Sequence, residues 1–265
     1  MEQNAFIITK LLQYINVNNI PDKSLRDLYV IPNFANKRNF LNIIKKKSYW
    51  KNIYLFKTKE LALINILFNK KYNKIFIDSD FGILLRLILL FFNNKIFVYE
   101  EGLASYVSSV RSKKTFLNKI LKVIDYLSLG GKSSGSAFAT KGIYLYHSNA
   151  FKNMTNSLSH TNFLKFQHSF IDNLNNQNQF LNLLFKKDFT FYKGKKVLLY
   201  ICAGPINESI YPLMEKYKKY HKVFKPHPAD VDVLDFKFSF DEILDPLFLS
   251  EYAILNILKF SESLV

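Results

Sequence analysis

Glu100, Glu101 and Gly102 follow directly on the apolar run KIFVY. Adjacent carboxylates raise one another's proton affinity, so one can stay poised as a general base while the other accepts or positions, and the glycine lets the chain turn at once. An acidic turn without chemistry has the same composition. His227 stands between Pro226 and Pro228 in KVFKPHPAD, after a second apolar run. The prolines restrict the backbone around the imidazole, which beside Lys225 suits contact with a phosphate or proton donation to one as it leaves. A loop histidine with no role reads the same way from this motif alone. Ser261 and Ser263, in KFSESLV, close a third run and offer hydroxyls and following amides to a phosphate, although serines near a terminus are commonly just solvated.

Other constellations carry less. Asp78, Ser79 and Asp80 after KIFI have the Asp-x-Asp form that holds manganese in one class of glycosyltransferases. Gly131, Lys132 and Ser133 imitate the end of a phosphate-binding loop, but the glycine needed five positions earlier is Tyr126, which argues against nucleotide hydrolysis. The histidines His147, His160, His168, His221 and His227 form no i, i+4 pair, which disfavours a zinc hydrolase. One cysteine excludes a disulfide framework and paired-thiolate zinc sites.

The elements that must hold these residues follow from hydropathy. Nearly continuous apolar runs, AFIIT, DLYVI, NIYLF, KIFI, KIFVY and GIYLY, alternate with helical spacing in NFLNIIKKK, LALINILF and GILLRLILLFF. Strands of that kind separated by helices imply a parallel sheet covered on both faces, with ligands at the strands' carboxyl ends. The Asn-rich, then basic run DNLNNQNQFLNLLFKKDFTFYKGKK reads as a connection, with the boundary near Lys187 to Lys195, between a first domain over 1–190 and a second over 191–265. In the second domain KVLLYIC reads as strand, ESIYPLMEKYKKY as helix, HKVFK as strand, EILDPLFLSEYAI as helix and LNILKFSES as a last strand.

A length of 265 residues suits two small domains, and 49% hydrophobic residues exclude a disordered chain. The formal charge of +16 favours anionic partners such as acidic membrane or phosphorylated substrates. No zinc-finger, RNP-type or helix-turn-helix pattern appears, so specific nucleic-acid binding is not expected. No run reaches the length of a membrane span, and MEQNAFIITK lacks the marks of a signal peptide, which makes the cytoplasm the expected location.

Taken in order, the acidic pair with glycine, His-Pro and the serine pair resemble bacterial sialyltransferases of glycosyltransferase family 52, which cap lipooligosaccharides and capsules, and their polysialyltransferase relatives. FIITKLLQ is similar to that family's opening strand and Thr-x-x-x-Gln turn, IDSDFGILLRLILLFFNNKIFVYEEG to its strand-helix-strand block, and TKGIYLYHSN to the segment closing its first domain. The resemblance implies a GT-B-like α/β architecture, two Rossmann-like parallel-sheet domains facing across a cleft, the second one short. It implies an inverting, metal-independent transferase that takes sialic acid or a related nonulosonic acid from a CMP-sugar donor to a glycan or lipid-linked glycan acceptor, without further cofactor. Glu101, or else Glu100, takes the acceptor's proton, and His227 assists departure of CMP. His227 with Pro228, Lys225, Ser261, Ser263 and Gly204 forms the donor site. The implied place of work is the inner membrane face, at an anionic surface, and a homodimer is compatible with it. The chain departs from the family where Cys202, Ala203 and Gly204 replace Asp-Gln before Pro205, in the glutamate of Ser-Glu-Ser, and in stopping at Val265. The competing readings are a metal-dependent nucleotide-sugar transferase using Asp78 and Asp80, and a non-catalytic basic protein that binds polyanions.

Overall fold

The run AFII is apolar on both faces of an extended chain, and it forms the middle of a sheet: in β1 (Gln3–Ile8), Ala5, Phe6, Ile7 and Ile8 are fully enclosed. A strand covered on both sides is served by crossover connections, which return the chain in the same direction. The protein was analysed as a computed structural model, which describes residues 2–32, 34, 37–46, 49–69, 71–102, 105, 134–154, 161–201, 210–226, 240–245 and 248–265.

The first unit, Met1–Asn178, holds β1, β2 (Leu25–Val30), β3 (Asn52–Leu55), β4 (Lys74–Ile77), β5 (Ile96–Tyr99), β6 (Thr140–Leu145) and β7 (Asn162–Lys165). All pair in parallel, in the order β3-β2-β1-β4-β5-β6-β7. Between the strands run α1 (Leu11–Val17), α2 (Lys37–Lys45), α3 (Lys59–Asn69), α4 (Ile83–Leu89) with a 3-10 turn over Leu90–Phe92, and α5 (Ser148–Met154); α6 (Phe170–Asn176) follows β7. On one face Ala62, Leu63 and Ile66 of α3 and Leu85 and Leu89 of α4 pack on Ile7, Ile75, Ile77 and Val98. Phe6 points to the other face, as period two requires, and stacks on Phe76 at 4.4 Å. There Arg26 lies 4.1 Å from the Phe6 ring centroid and 4.8 Å from that of Trp50, and burial lowers its pKa to about 10.

The second unit, Gln179–Val265, holds β8 (Lys196–Ile201), β9 (His221–Lys225), β10 (Glu242–Ile243) and β11 (Ser263–Leu264), parallel and in the order β10-β9-β8-β11. Numbered within their unit these strands run 3-2-1-4, the same order as β3-β2-β1-β4 of the first. Both units are Rossmann-like α/β structures, each with a switch point where the order reverses beside its first strand. The helices are α7 (Asn178–Phe185), α8 (Tyr211–Lys216) and α9 (Ser250–Phe260), with a 3-10 turn over Phe189–Tyr192.

Four expectations need correction, the first being EILDPLFLSEYAI, in which Glu242 and Ile243 pair with β9 and the helix begins only at Ser250. The division falls at Asn178, ahead of 187–195, because α7 packs with the second unit: Tyr252 donates to Asn182 at 2.6 Å, and Phe185 lies 4.2 Å from Phe248. The Asn-rich stretch is helical. Ser169 caps α6 by accepting from the Asp172 N–H, and Leu174, Phe180, Leu181 and Leu184 are buried. LNILKF belongs to α9, not to a strand, since Tyr252, Ala253 and Ile257 bury one helical face, and only Ser263 and Leu264 pair with β8.

Candidate functional site at the carboxyl edge of the first sheet

The chain leaves β1 through Thr9 and Lys10 and turns at once into α1. Gln13, fully buried one turn into that helix, closes the turn: its Oε1 accepts from the Thr9 and Lys10 N–H groups, the latter at 3.1 Å, and from the Thr9 hydroxyl at 3.1 Å. Its Nε2 donates to Asp78, the first residue after β4, at 2.8 Å. Gln13 thus ties the ends of β1 and β4 together at the switch point.

Two acidic turns flank it. After β4, Asp78 accepts from Lys59 at 2.6 Å, and the same ammonium reaches Ser79 Oγ at 2.9 Å. Asp80 is fully enclosed and accepts from the Gly135 N–H at 3.0 Å, the Ala137 N–H at 2.9 Å and the Thr140 hydroxyl at 2.9 Å. Its carboxylate faces amide and hydroxyl donors, which is the work of a staple and not the geometry of a metal ligand. Among the described residues, no group of three or more His, Cys, Asp or Glu is placed to hold a metal ion.

After β5, Glu100 is buried and its Oε2 accepts from the Tyr146 N–H at 2.9 Å, pinning the end of β6. The Tyr146 hydroxyl bonds Asn16 at 2.9 Å and receives Asn19 and Asn173, each at 3.2 Å. Burial pushes that hydroxyl up to about 12, with Glu100 adding to the shift and the two amides opposing it. Glu101 differs. Its N–H donates to Ser105 Oγ at 2.8 Å, and its carboxylate meets the ammonium of Lys10, whose side chain is 64% exposed. Gly102 turns the chain with φ 118°, a value that side chains strain against. Of the two glutamates, Glu100 is committed to structure, and Glu101 is partly exposed beside an exposed lysine.

In the second unit the sequence-derived donor site does not assemble as expected. Lys225, the last residue of β9, is 2% exposed and donates to the neighbouring Pro226 carbonyl at 2.6 Å; burial lowers its proton affinity against the opposing carboxylates of Asp245 and Glu251. It is not displayed to a phosphate. Ser263 pairs with Lys196, the first residue of β8, whereas Lys225 pairs with Ile201, the last. Five residues of strand put those edges roughly 16 Å apart, so Ser261 and Ser263 stand at the amino edge, opposite the edge where Lys225 ends. Their Oγ atoms are also shielded from solvent. The reason is the reassignment of LNILKF: a helix, not a strand, delivers Ser261, as its C-cap. Gly204, His227 and Pro228, and the phosphate-loop imitation at 131–133, lie outside the described residues.

Lys10, Lys59 and Tyr146 escaped sequence reasoning. Their common signal is a polar residue just past a strand or opening the helix after one, the position from which a side chain reaches the sheet's carboxyl edge. No protein-family model and no curated protein matches this chain.

Proposed function

We propose that the protein is an inverting glycosyltransferase that moves sialic acid or a related nonulosonic acid from its CMP-sugar to a glycan acceptor. The observation that carries this reading is Glu101, a partly exposed carboxylate mounted by Gly102 at the carboxyl end of β5, near the switch point and beside the exposed ammonium of Lys10. The Glu101 carboxylate accepts the proton of an acceptor hydroxyl while that oxygen bonds to the anomeric carbon, and the bond from that carbon to the CMP phosphate oxygen breaks with its electron pair leaving on CMP. The configuration inverts. Lys10 pairs with the carboxylate and swings toward solvent when the acceptor takes its place. The GT-B-like arrangement, with the two Rossmann-like units facing across a cleft, belongs to the same proposal, as does His227 as the group that meets the departing phosphate. Lys225, Ser261 and Ser263 are no longer part of it.

The test is a donor screen of the purified protein with CMP-sialic acid, other CMP-nonulosonic acids and UDP-sugars, reading free nucleotide released. Release from CMP-sugars that persists in EDTA supports the proposal. Turnover confined to UDP-sugars, or dependent on manganese, sinks it, as does binding to any polyanion with no release of nucleotide.

A further inference from the structure

α3 and α4 pack side by side on one face of the first sheet, with Ala62, Leu63 and Ile66 and then Leu85 and Leu89 turned into the core. A helix in that position ordinarily carries polar residues on its outer side. Here the outer side is apolar too. On α3 the exposed stripe is Leu61, Ile64 and Phe68, and on α4 and its 3-10 extension it is Leu84, Leu87 and Phe91, each spaced i, i+3, i+7. Phe68 is 80% exposed and Phe91 68%. Glu60 is the only acidic residue of the two helices. Contiguous apolar surface of this kind marks a binding face.

Where the stripes end, a cavity of about 390 Å³ opens between them, walled by Ile66, Leu67, Ile75 and Phe91 and edged by Asn93 and Lys95. Lys95 donates to the Tyr72 carbonyl at 3.1 Å, and Lys71, just past α3, lies 3.3 Å from Asp27. Cations therefore border the apolar face at this end. Among the described residues no helix is long and apolar enough to cross a membrane, so the stripes are not the flank of a span.

We propose that this face lies on an anionic lipid bilayer, its leucines and phenylalanines among the acyl chains and its bordering lysines among the headgroups. The formal charge of +16 decides between occupants: it draws the chain to an anionic surface and opposes the approach of a second copy. This inference rests on the α3–α4 surface and the net charge and does not depend on the glycosyltransferase reading.

Co-sedimentation of the full chain with vesicles tests it. With phosphatidylcholine mixed with phosphatidylglycerol the protein pellets, added salt weakens binding, and pure phosphatidylcholine retains less. Phe68→Ser combined with Phe91→Ser lowers the bound fraction by about tenfold or more, because binding of an interfacial face scales with its apolar area. Should that variant lose its helical circular dichroism, the single substitution Leu87→Asn on α4 gives the same reading. Wild-type protein left in the supernatant with mixed vesicles overturns the proposal. So do variants that bind like the wild type, and a wild-type dimer that the variants break into monomers while vesicle binding is unchanged.

Discussion

The turns after β4 and β5 solve one problem in two ways. Each carries two acids, and in each pair one acid is bound by backbone N–H groups while the other meets a lysine: Asp80 holds Gly135 and Ala137, Glu100 holds Tyr146, Asp78 meets Lys59 and Glu101 meets Lys10. The difference is solvent. Lys59 and Asp78 are 17% and 5% exposed and bound further by Ser79 and Gln13, whereas Lys10 and Glu101 are 64% and 20% exposed. A pair locked from all sides is architecture. A carboxylate whose partner is an exposed, flexible lysine can exchange that partner for a substrate hydroxyl.

Substitutions should separate the four acids. Asp80→Ala strands three buried donors and should destabilise the first unit by about 4 kcal/mol, read by chemical denaturation. Loss below about 1 kcal/mol would mean that water replaces the carboxylate. Lys59→Met leaves Asp78 charged and enclosed, with an expected cost of about 3 kcal/mol; an unchanged midpoint would show that the pair is more solvated than its geometry indicates. Glu100→Ala exposes the Tyr146 N–H to a poorer environment, at about 1 to 2 kcal/mol. Lys10→Ala should move stability by less than about 0.5 kcal/mol, as for other exposed pairs.

A smaller effect distinguishes the units by pH. His221 opens β9, and burial lowers its pKa, with the Lys195 charge assisting and Asp241 and Glu242 opposing. The unfolded state therefore binds more protons below pH about 6.5, so the second unit loses stability as pH falls from there toward the depressed folded value. Amide protection factors of β8 and β9, corrected for the intrinsic pH dependence of exchange, should fall across that window in the wild type and not in His221→Gln.

Much of the framework was legible because β1, β4 and β5 are short, nearly continuous apolar runs bounded by polar residues and alternating with helical segments, the pattern of a buried parallel sheet. The second unit was harder for the same reason. LNILKF is too short for periodicity to tell a buried strand from half a helix, and the error carried Ser261 and Ser263 to the wrong edge of the sheet. The Asn-rich segment looked like a linker because asparagine favours turns, yet four buried apolar side chains outweigh that preference. Glu100 and Glu101 were found as a pair, but their division of labour was not legible, because Tyr146 lies 46 positions from Glu100 and Lys10 lies 91 from Glu101. The stapling role of Asp80 was hidden for a like reason, since its partners are 55 to 60 positions away.

Glu101→Gln tests the central claim most directly, since it keeps size and removes proton acceptance. Measured with CMP-sialic acid and acceptor, kcat should fall by roughly 10² to 10⁴-fold while donor binding and the unfolding midpoint stay at wild-type values. Turnover equal to the wild type, at full occupancy of a folded variant, would contradict the assignment of Glu101 as the base.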